Sequence, residues 1–224
     1  MKEFKIRCSQ IGKIMSASGK LIDGNKSYCE TWLKEQLYGR RKEFTSKTTE
    51  KGNIVEDESI DFIGEMLDLG FVFKNEKHFE NEYMTGTPDI LLPDLIIDAK
   101  NSWDCFTFPL FEDELPTKDY YWQAQGYMHL TGIKKYKVVY VLSDTPLNII
   151  EKEAYWYCKN NGYDDLDMDI FKQFEEKMTY KNIPNNLKIK SFDIEKNEED
   201  IKKAIEKVTF CREYIKSLKE QLPK

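Results

Sequence analysis

No apolar run in the 224-residue chain approaches the roughly 18 residues that a membrane-spanning helix needs, so a membrane protein is not indicated. The first residues, Met1-Lys2-Glu3-Phe4-Lys5, lack the apolar core of a secretory signal, and a cytoplasmic protein is expected. Cysteine is sparse and scattered: Cys8, Cys29, Cys105, Cys158 and Cys211 are odd in number and contain no Cys-x-x-Cys, which argues against a disulfide framework or a zinc knuckle. The two histidines, His78 and His129, stand far apart, and His129 reads as an ordinarily packed helix residue. There is no Pro/Gly/Ser-rich linker, internal repeat or low-complexity tract, so residues 1–224 are expected to form a single domain. Nor is there a true phosphate loop. Gly19 to Ser27 resembles one superficially, but Asn25 intrudes between Gly24 and Lys26 and no strong strand precedes it, so nucleotide hydrolysis is not inferred.

A net charge of −6 hides an uneven distribution. Residues 1–51 hold 12 Lys/Arg against 6 Asp/Glu, a balance of +6, which leaves −12 for residues 52–224. Because attraction to phosphates is local and screened within about 8 to 10 Å, a basic surface is expected at the N-terminal end whatever the total. Arg40-Arg41-Lys42 is a cluster within it that reads as a solvated helix end.

The densest information lies in TGTPDILLPDLIIDAK, which begins at Thr85. Ile90-Leu91-Leu92 and Leu95-Ile96-Ile97 are apolar runs separated by the turn signal Pro93-Asp94, so the segment predicts a β-hairpin. Alternation along a strand sends Asp98 and Lys100 to one side and Ile97 and Ala99 to the other, and the hairpin brings Asp89 beside Asp98. Converging carboxylates repel unless a divalent cation sits between them, and such hard oxygen ligands suit magnesium or manganese. Two exposed turn acids and a strand-end lysine would give the same pattern, so neighbouring residues must decide. Upstream, Ile54, Ile63, Met66 and Leu67 predict a helix over Thr49–Leu69 that carries Glu56 among other acids. Downstream, a helix over Tyr120–Thr131 would place Gln123 and Tyr127, four apart, on one face.

In this order, Glu56, Pro88-Asp89, Asp98-Ala99-Lys100 and Gln123-Ala124-Gln125-Gly126-Tyr127 resemble the PD-(D/E)XK nuclease superfamily, in particular its phage exonuclease branch of lambda-exonuclease-like and YqaJ-like recombinases. The likeness runs from about Arg7 to Asp144, with one departure: Asp98 stands where lambda-like members usually carry glutamate. The resemblance implies that Asp89 and Asp98 bind Mg2+, with Mn2+ able to substitute, and that the Ala99 carbonyl is a further contact. Glu56 would complete the site directly or through water. Lys100 would position the attacking water and stabilise charge developing on the phosphate. Gln123 and Tyr127 would support the site or touch the nucleic-acid backbone. The segment Arg7-Cys8-Ser9-Gln10-Ile11 resembles the opening of lambda-type enzymes, implying that Arg7 and Ser9 hold a 5′ phosphate, with Ser9 able to N-cap a short helix; an ordinary capped surface helix is the alternative. Iron–sulfur branches of the superfamily need clustered cysteines that Cys158 and Cys211 alone cannot supply.

The rest reads as scaffold. A buried strand is expected over Tyr136–Leu142, helices near Leu147–Cys158 and Asp167–Lys177, and a strand over Leu187–Ile194. A C-terminal helix over 197–222 would bury Ile201, Ile205, Val208, Cys211, Ile215 and Leu218. Tyr155, Trp156 and Tyr157 read as core or interface, whereas Trp103 and Phe106, just past Lys100, are candidates for DNA contact. The expected architecture is an α/β restriction-endonuclease-like core, a central mixed β-sheet flanked by helices, preceded by a basic helical DNA-binding part over residues 1–51. The resemblance implies 5′ to 3′ digestion of linear double-stranded DNA in phage-type recombination, a single-strand annealing protein as partner and a trimeric ring. An endonuclease of the same superfamily, a non-catalytic DNA-binding scaffold and an RNA nuclease remain open at this stage.

Overall fold

The structure is a computed structural model and describes residues 2–15, 23–42 and 46–223. Part of the Gly19–Ser27 stretch therefore lies outside the described residues. The chain enters through strand β1 (Ile6–Arg7), a 3₁₀ turn (Cys8–Gln10) and a short helix α1 (Ile11–Ile14), followed by helices α2 (Asp23–Tyr38) and α3 (Lys47–Met66). Short strands β2 (Phe79–Glu80), β3 (Met84–Gly86) and β4 (Ile90–Leu91) lead into the longer β5 (Leu95–Asn101). Helix α4 (Lys118–Thr131), strand β6 (Lys135–Val141), helices α5 (Leu147–Asn160) and α6 (Met168–Met178), strand β7 (Ile189–Glu195) and helix α7 (Glu198–Glu220) complete it.

The mixed sheet has the order β4-β5-β6-β7. Strands β4 and β5 form the predicted hairpin, with Ile90 opposite Ile97, and β5 runs parallel to β6 through the α4 crossover. A second sheet, β1-β3-β2, was not anticipated. Its strand β1 precedes the helices of the N-terminal part: Ile6 is fully buried, pairs in parallel with Met84, and donates its N–H to the Tyr83 carbonyl at 2.9 Å.

Alternation along β5 assigns its faces. Ile96 joins Tyr136, Val138, Met128 and Phe192 in the larger core, whereas Ile97 joins Ile60, Ile63, Val139 and Val141 beneath α3. Asp98 is thus carried on the Ile96 face, and the helix crossing that face is α4. In α3 the buried stripe is Val55, Ile60 and Ile63 rather than one containing Ile54, which is 48 % exposed. The nine residues from Ile54 to Ile63 amount to two and a half helical turns, so the two project in opposite directions.

Helix ends follow local chemistry. Ser46 accepts the Thr49 N–H at 3.1 Å and Thr117 accepts the Asp119 N–H at 3.2 Å, satisfying otherwise orphaned donors. Gly132, at φ +81°, closes α4 in a left-handed conformation that other residues rarely adopt. Asn197 caps α7 and Glu198, Glu199 and Asp200 complement its dipole, so the helix starts one residue after the expected boundary and ends at Glu220. Its buried Val208, Cys211 and Ile215 share the larger core with Cys29 and Leu33 of α2.

Gly126 lets α4 approach the N-terminal turn. A Cβ there would meet Ile11 Cδ1 at 2.4 Å and Cys8 Sγ at 3.0 Å, both fully buried. Gly126→Ala is therefore expected to destabilise the fold by about 1–3 kcal/mol through overpacking, although alanine is the better helix former. Urea unfolding would measure it, and an unchanged or raised midpoint would contradict this packing.

Candidate active site

A cleft of about 420 Å³ opens where the C-terminal half of β5, the N-terminal half of α3 and the start of α4 converge. Glu56, Asp89, Ala99 and Lys100 line it, together with Trp103 and Tyr120. The elements that position these groups are rigid: β5 is held on both edges by hydrogen-bonded strands, and α4 lies across its face.

Asp98 is 1 % exposed, an unfavourable place for a carboxylate unless it is compensated. Gln123 Nε2 donates to its Oδ1 at 2.8 Å, and the Lys100 ammonium sits 2.7 Å from Oδ2. That second contact is an ion pair, and it is the charge that compensates the buried Oδ2. Asp89 faces the same corner and accepts the Ala99 N–H at 3.0 Å. Burial, and then the charge of Asp98, push the Asp89 carboxyl up to about 8, partly offset by Lys100. For Lys100, burial alone would pull the pKa down, but the charges of Asp98 and Asp89 reverse this and hold the ammonium above its ordinary value. Its Nζ also lies 4.7 Å from the centre of the Tyr120 ring, a cation–π contact.

The structure brings Asp89, Asp98, Ala99, Lys100 and Gln123 together. Glu56 lines the same cleft but is paired with Lys74 at 2.5 Å, and among the described residues no three His, Cys, Asp or Glu side chains cluster closely enough to hold a metal. Tyr127 does not touch the acids; its hydroxyl donates to the Thr87 carbonyl at 3.0 Å, two residues before Asp89. Arg7 and Ser9 are not in the lining of this cleft. Arg7 lines a different one, and Ser9 lies inside the 3₁₀ turn, so Gln10 rather than Ser9 occupies the N-cap of the four-residue α1, without a side-chain capping bond.

Converging carboxylate oxygens are donors of the kind that hard divalent cations take. Asp98 and Asp89 converge with only a lysine to offset their charge, and burial together with that charge pushes the Asp89 carboxyl up.

No model of a known protein family matches the sequence, and no curated protein is similar to it. Solved structures are. A phage-related exonuclease from Haemophilus somnus 129PT shares 32 % identity over 99 % of this chain and 98 % of its own, with a TM-score of 0.82. The chain belongs to the phage exonuclease branch of the PD-(D/E)XK nuclease superfamily. The alkaline exonuclease LHK-Exo from Laribacter hongkongensis, also solved in complex with dAMP, shares the fold at 15 % identity and a TM-score of 0.65 over 97 % of this chain and 92 % of its own.

Sequence reasoning missed several groups around this PD-(D/E)XK centre. Tyr120 was within reach of it, because it precedes Gln123 by three residues and so shares its helix face. Lys51 was not: it is fully buried, donates to the Trp103 carbonyl at 2.9 Å and is pulled down to about 8 by burial, yet it reads as one more basic residue before the acidic face of α3. Lys74, the partner of Glu56, lies in a segment without periodicity.

The raised Asp89 makes a sign-specific prediction. The folded protein retains a proton up to about pH 8 that the unfolded chain releases near 3.8, so without divalent cations this group erodes stability as pH rises across that window. Asp89→Asn removes the effect. Thermal melts in EDTA are expected to show the variant above wild type at pH 8, with the gap closing toward pH 4; a gap independent of pH would refute the shift.

Proposed function

We propose that this protein is a divalent-metal-dependent DNA exonuclease that digests linear duplex DNA from 5′ to 3′ and leaves a 3′ single strand for annealing in phage-type recombination. The observation that carries this reading is the Asp89–Asp98 pair, one half-buried with its carboxyl raised and one fully buried, beside a charged lysine in an open cleft. The Haemophilus neighbour is described as an exonuclease, and the dAMP complex of LHK-Exo is consistent with a deoxynucleotide substrate.

Asp89, Asp98 and the Ala99 carbonyl would hold Mg2+, or Mn2+ in its place, with Glu56 completing the site through water. Such an ion neutralises phosphate charge and lowers the pKa of bound water. The chain's own groups have separable tasks. Because the two acids keep Lys100 protonated, it serves as a fixed positive donor that orients water and stabilises charge on the phosphate, not as a general base. Gln123 holds Asp98 in register with Lys100, and Tyr127 holds the turn ahead of Asp89. Trp103, on the cleft wall, would meet a base or sugar. A 5′-phosphate role for Arg7 and Ser9, a trimeric ring and an annealing-protein partner belong to the same proposal through family likeness alone.

Lys100→Ala is expected to lower cleavage of end-labelled linear duplex by roughly 100-fold or more while DNA binding in calcium persists. EDTA should abolish wild-type cleavage, and covalently closed circles should survive. Wild-type turnover by the variant would remove lysine from the mechanism, and digestion of closed circles would make the protein an endonuclease.

A further inference from the structure

Lys51 is fully buried near the start of α3, and the chemistry proposed above gives it no task. An ammonium in that setting is costly unless its charge and its hydrogens are met. Its Nζ donates to the Trp103 carbonyl at 2.9 Å and stands 6.0 Å from the centre of the Tyr180 ring. Asp104 and Asp144 supply countercharge, yet burial outweighs them and pulls the lysine down to about 8. A methionine of similar length would fill the same space without that cost, so the donor itself needs a reason.

The reason lies in the loop that leaves β5. Val55 and Ser59 follow Lys51 at one-turn intervals on the buried stripe of α3. Ser59 Oγ bonds Asn101 Oδ1 at 2.7 Å, and Lys51 reaches the Trp103 carbonyl two residues further along, so one stripe grips both the end of the strand and the loop beyond it. Past that point the Tyr180 hydroxyl accepts the Cys105 N–H at 3.1 Å, and the Asp104 carboxylate accepts the Phe106 and Thr107 N–H groups at 3.1 and 2.8 Å. Among the described residues, Lys51 is the single donor to the Trp103 carbonyl. The loop held in this way sets Trp103 and Thr107 on the wall of the cleft that contains Lys100.

We propose that Lys51 is a positioning residue for the substrate: through the Trp103 carbonyl it fixes the indole on the cleft wall, against a nucleotide of the bound strand. The proposal rests on the nuclease reading. A lysine that served the fold alone would act without regard to Trp103, whereas a positioning lysine acts on DNA only while the indole is there.

The test compares wild type, Lys51→Met, Trp103→Ala and the double variant, measuring KM and kcat on linear duplex and Kd for the same duplex in calcium. Trp103→Ala should raise KM and Kd by roughly 10-fold, the order of one lost base–aromatic contact, with kcat nearly unchanged. Lys51→Met should raise both by roughly 5-fold, a share of that same contact, and adding it to Trp103→Ala should raise them no further. Multiplying effects in the double variant, or a Lys51→Met protein that loses kcat at unchanged KM, overturn the positioning role. So does Trp103→Ala with wild-type KM, an outcome that requires no folded Lys51 variant. Should the Kd pattern appear in calcium while wild type cuts no DNA in magnesium or manganese, the nuclease reading fails and the coupling of Lys51 to Trp103 stands. Cleavage by wild type with independent effects of the two substitutions sinks the coupling alone.

Discussion

Two carboxylates held in one buried corner repel each other, and the arrangement around Asp89 and Asp98 is organised by that repulsion. Each acid is given a compensating donor from a different part of the chain: Gln123 from the crossover helix, the Ala99 N–H from the strand itself, and the Lys100 ammonium between them. Compensation is incomplete, since one ammonium serves both acids and Asp89 retains its proton to about pH 8. A structure selected for stability alone would replace such a pair with apolar groups at little loss or even a gain. Its persistence in the middle of a well-packed sheet is what ties this corner to chemistry.

The scaffold delivers the two acids through one device. Helix α4 follows β5 and crosses the sheet before β6, so its inner face lies over the residues that precede and follow the hairpin. Gln123 and Tyr127 are one helical turn apart on that face. The first grips Asp98, and the second grips the Thr87 carbonyl just ahead of Asp89. Their spacing therefore sets the separation between the two carboxylates, and the bare backbone of Gly86 is what lets the phenol come close enough to do so. A glutamine and a tyrosine four apart act as a two-pronged clamp whose effect is felt by groups that the tyrosine never touches.

Local signals survive translation from sequence to structure better than spatial ones here. The hairpin, α4 and α7 were legible because apolar alternation, turn residues and caps are encoded within a few residues of where they act. The site was legible to the extent that it lies on those elements: Asp89, Asp98, Lys100 and Gln123 meet as their strand and helix faces require. Strand β1 was not, because two residues carry no period and its partner β3 is some 78 positions away in the chain, Ile6 facing Met84. Ile54 was misplaced because hydrophobicity was counted without following the helix around its axis. Lys51 was invisible for another reason: its burial depends on the loop after β5 arriving over it, and nothing local to Lys51 announces that.

Glu56 shows how far charge, rather than backbone, governs the final geometry. It stands on the wall of the same cleft as the acidic pair, and a third carboxylate moved into that corner would meet the Asp98 charge, which already drives Asp89 to keep its proton, in a low-dielectric setting where repulsion is poorly screened. Lys74 instead draws it aside at the cleft edge. The pairing is partly solvent-exposed on both sides and therefore weakly held, so Glu56 can change partners at small cost if positive charge enters the corner. The sequence order of acids thus specifies which carboxylates can reach the centre, whereas the balance of nearby charges decides which of them is there. The same reasoning applies to the chain as a whole, whose negative total coexists with an excess of basic residues over 1–51, because over distances longer than about 10 Å the two regions scarcely sense each other at physiological salt.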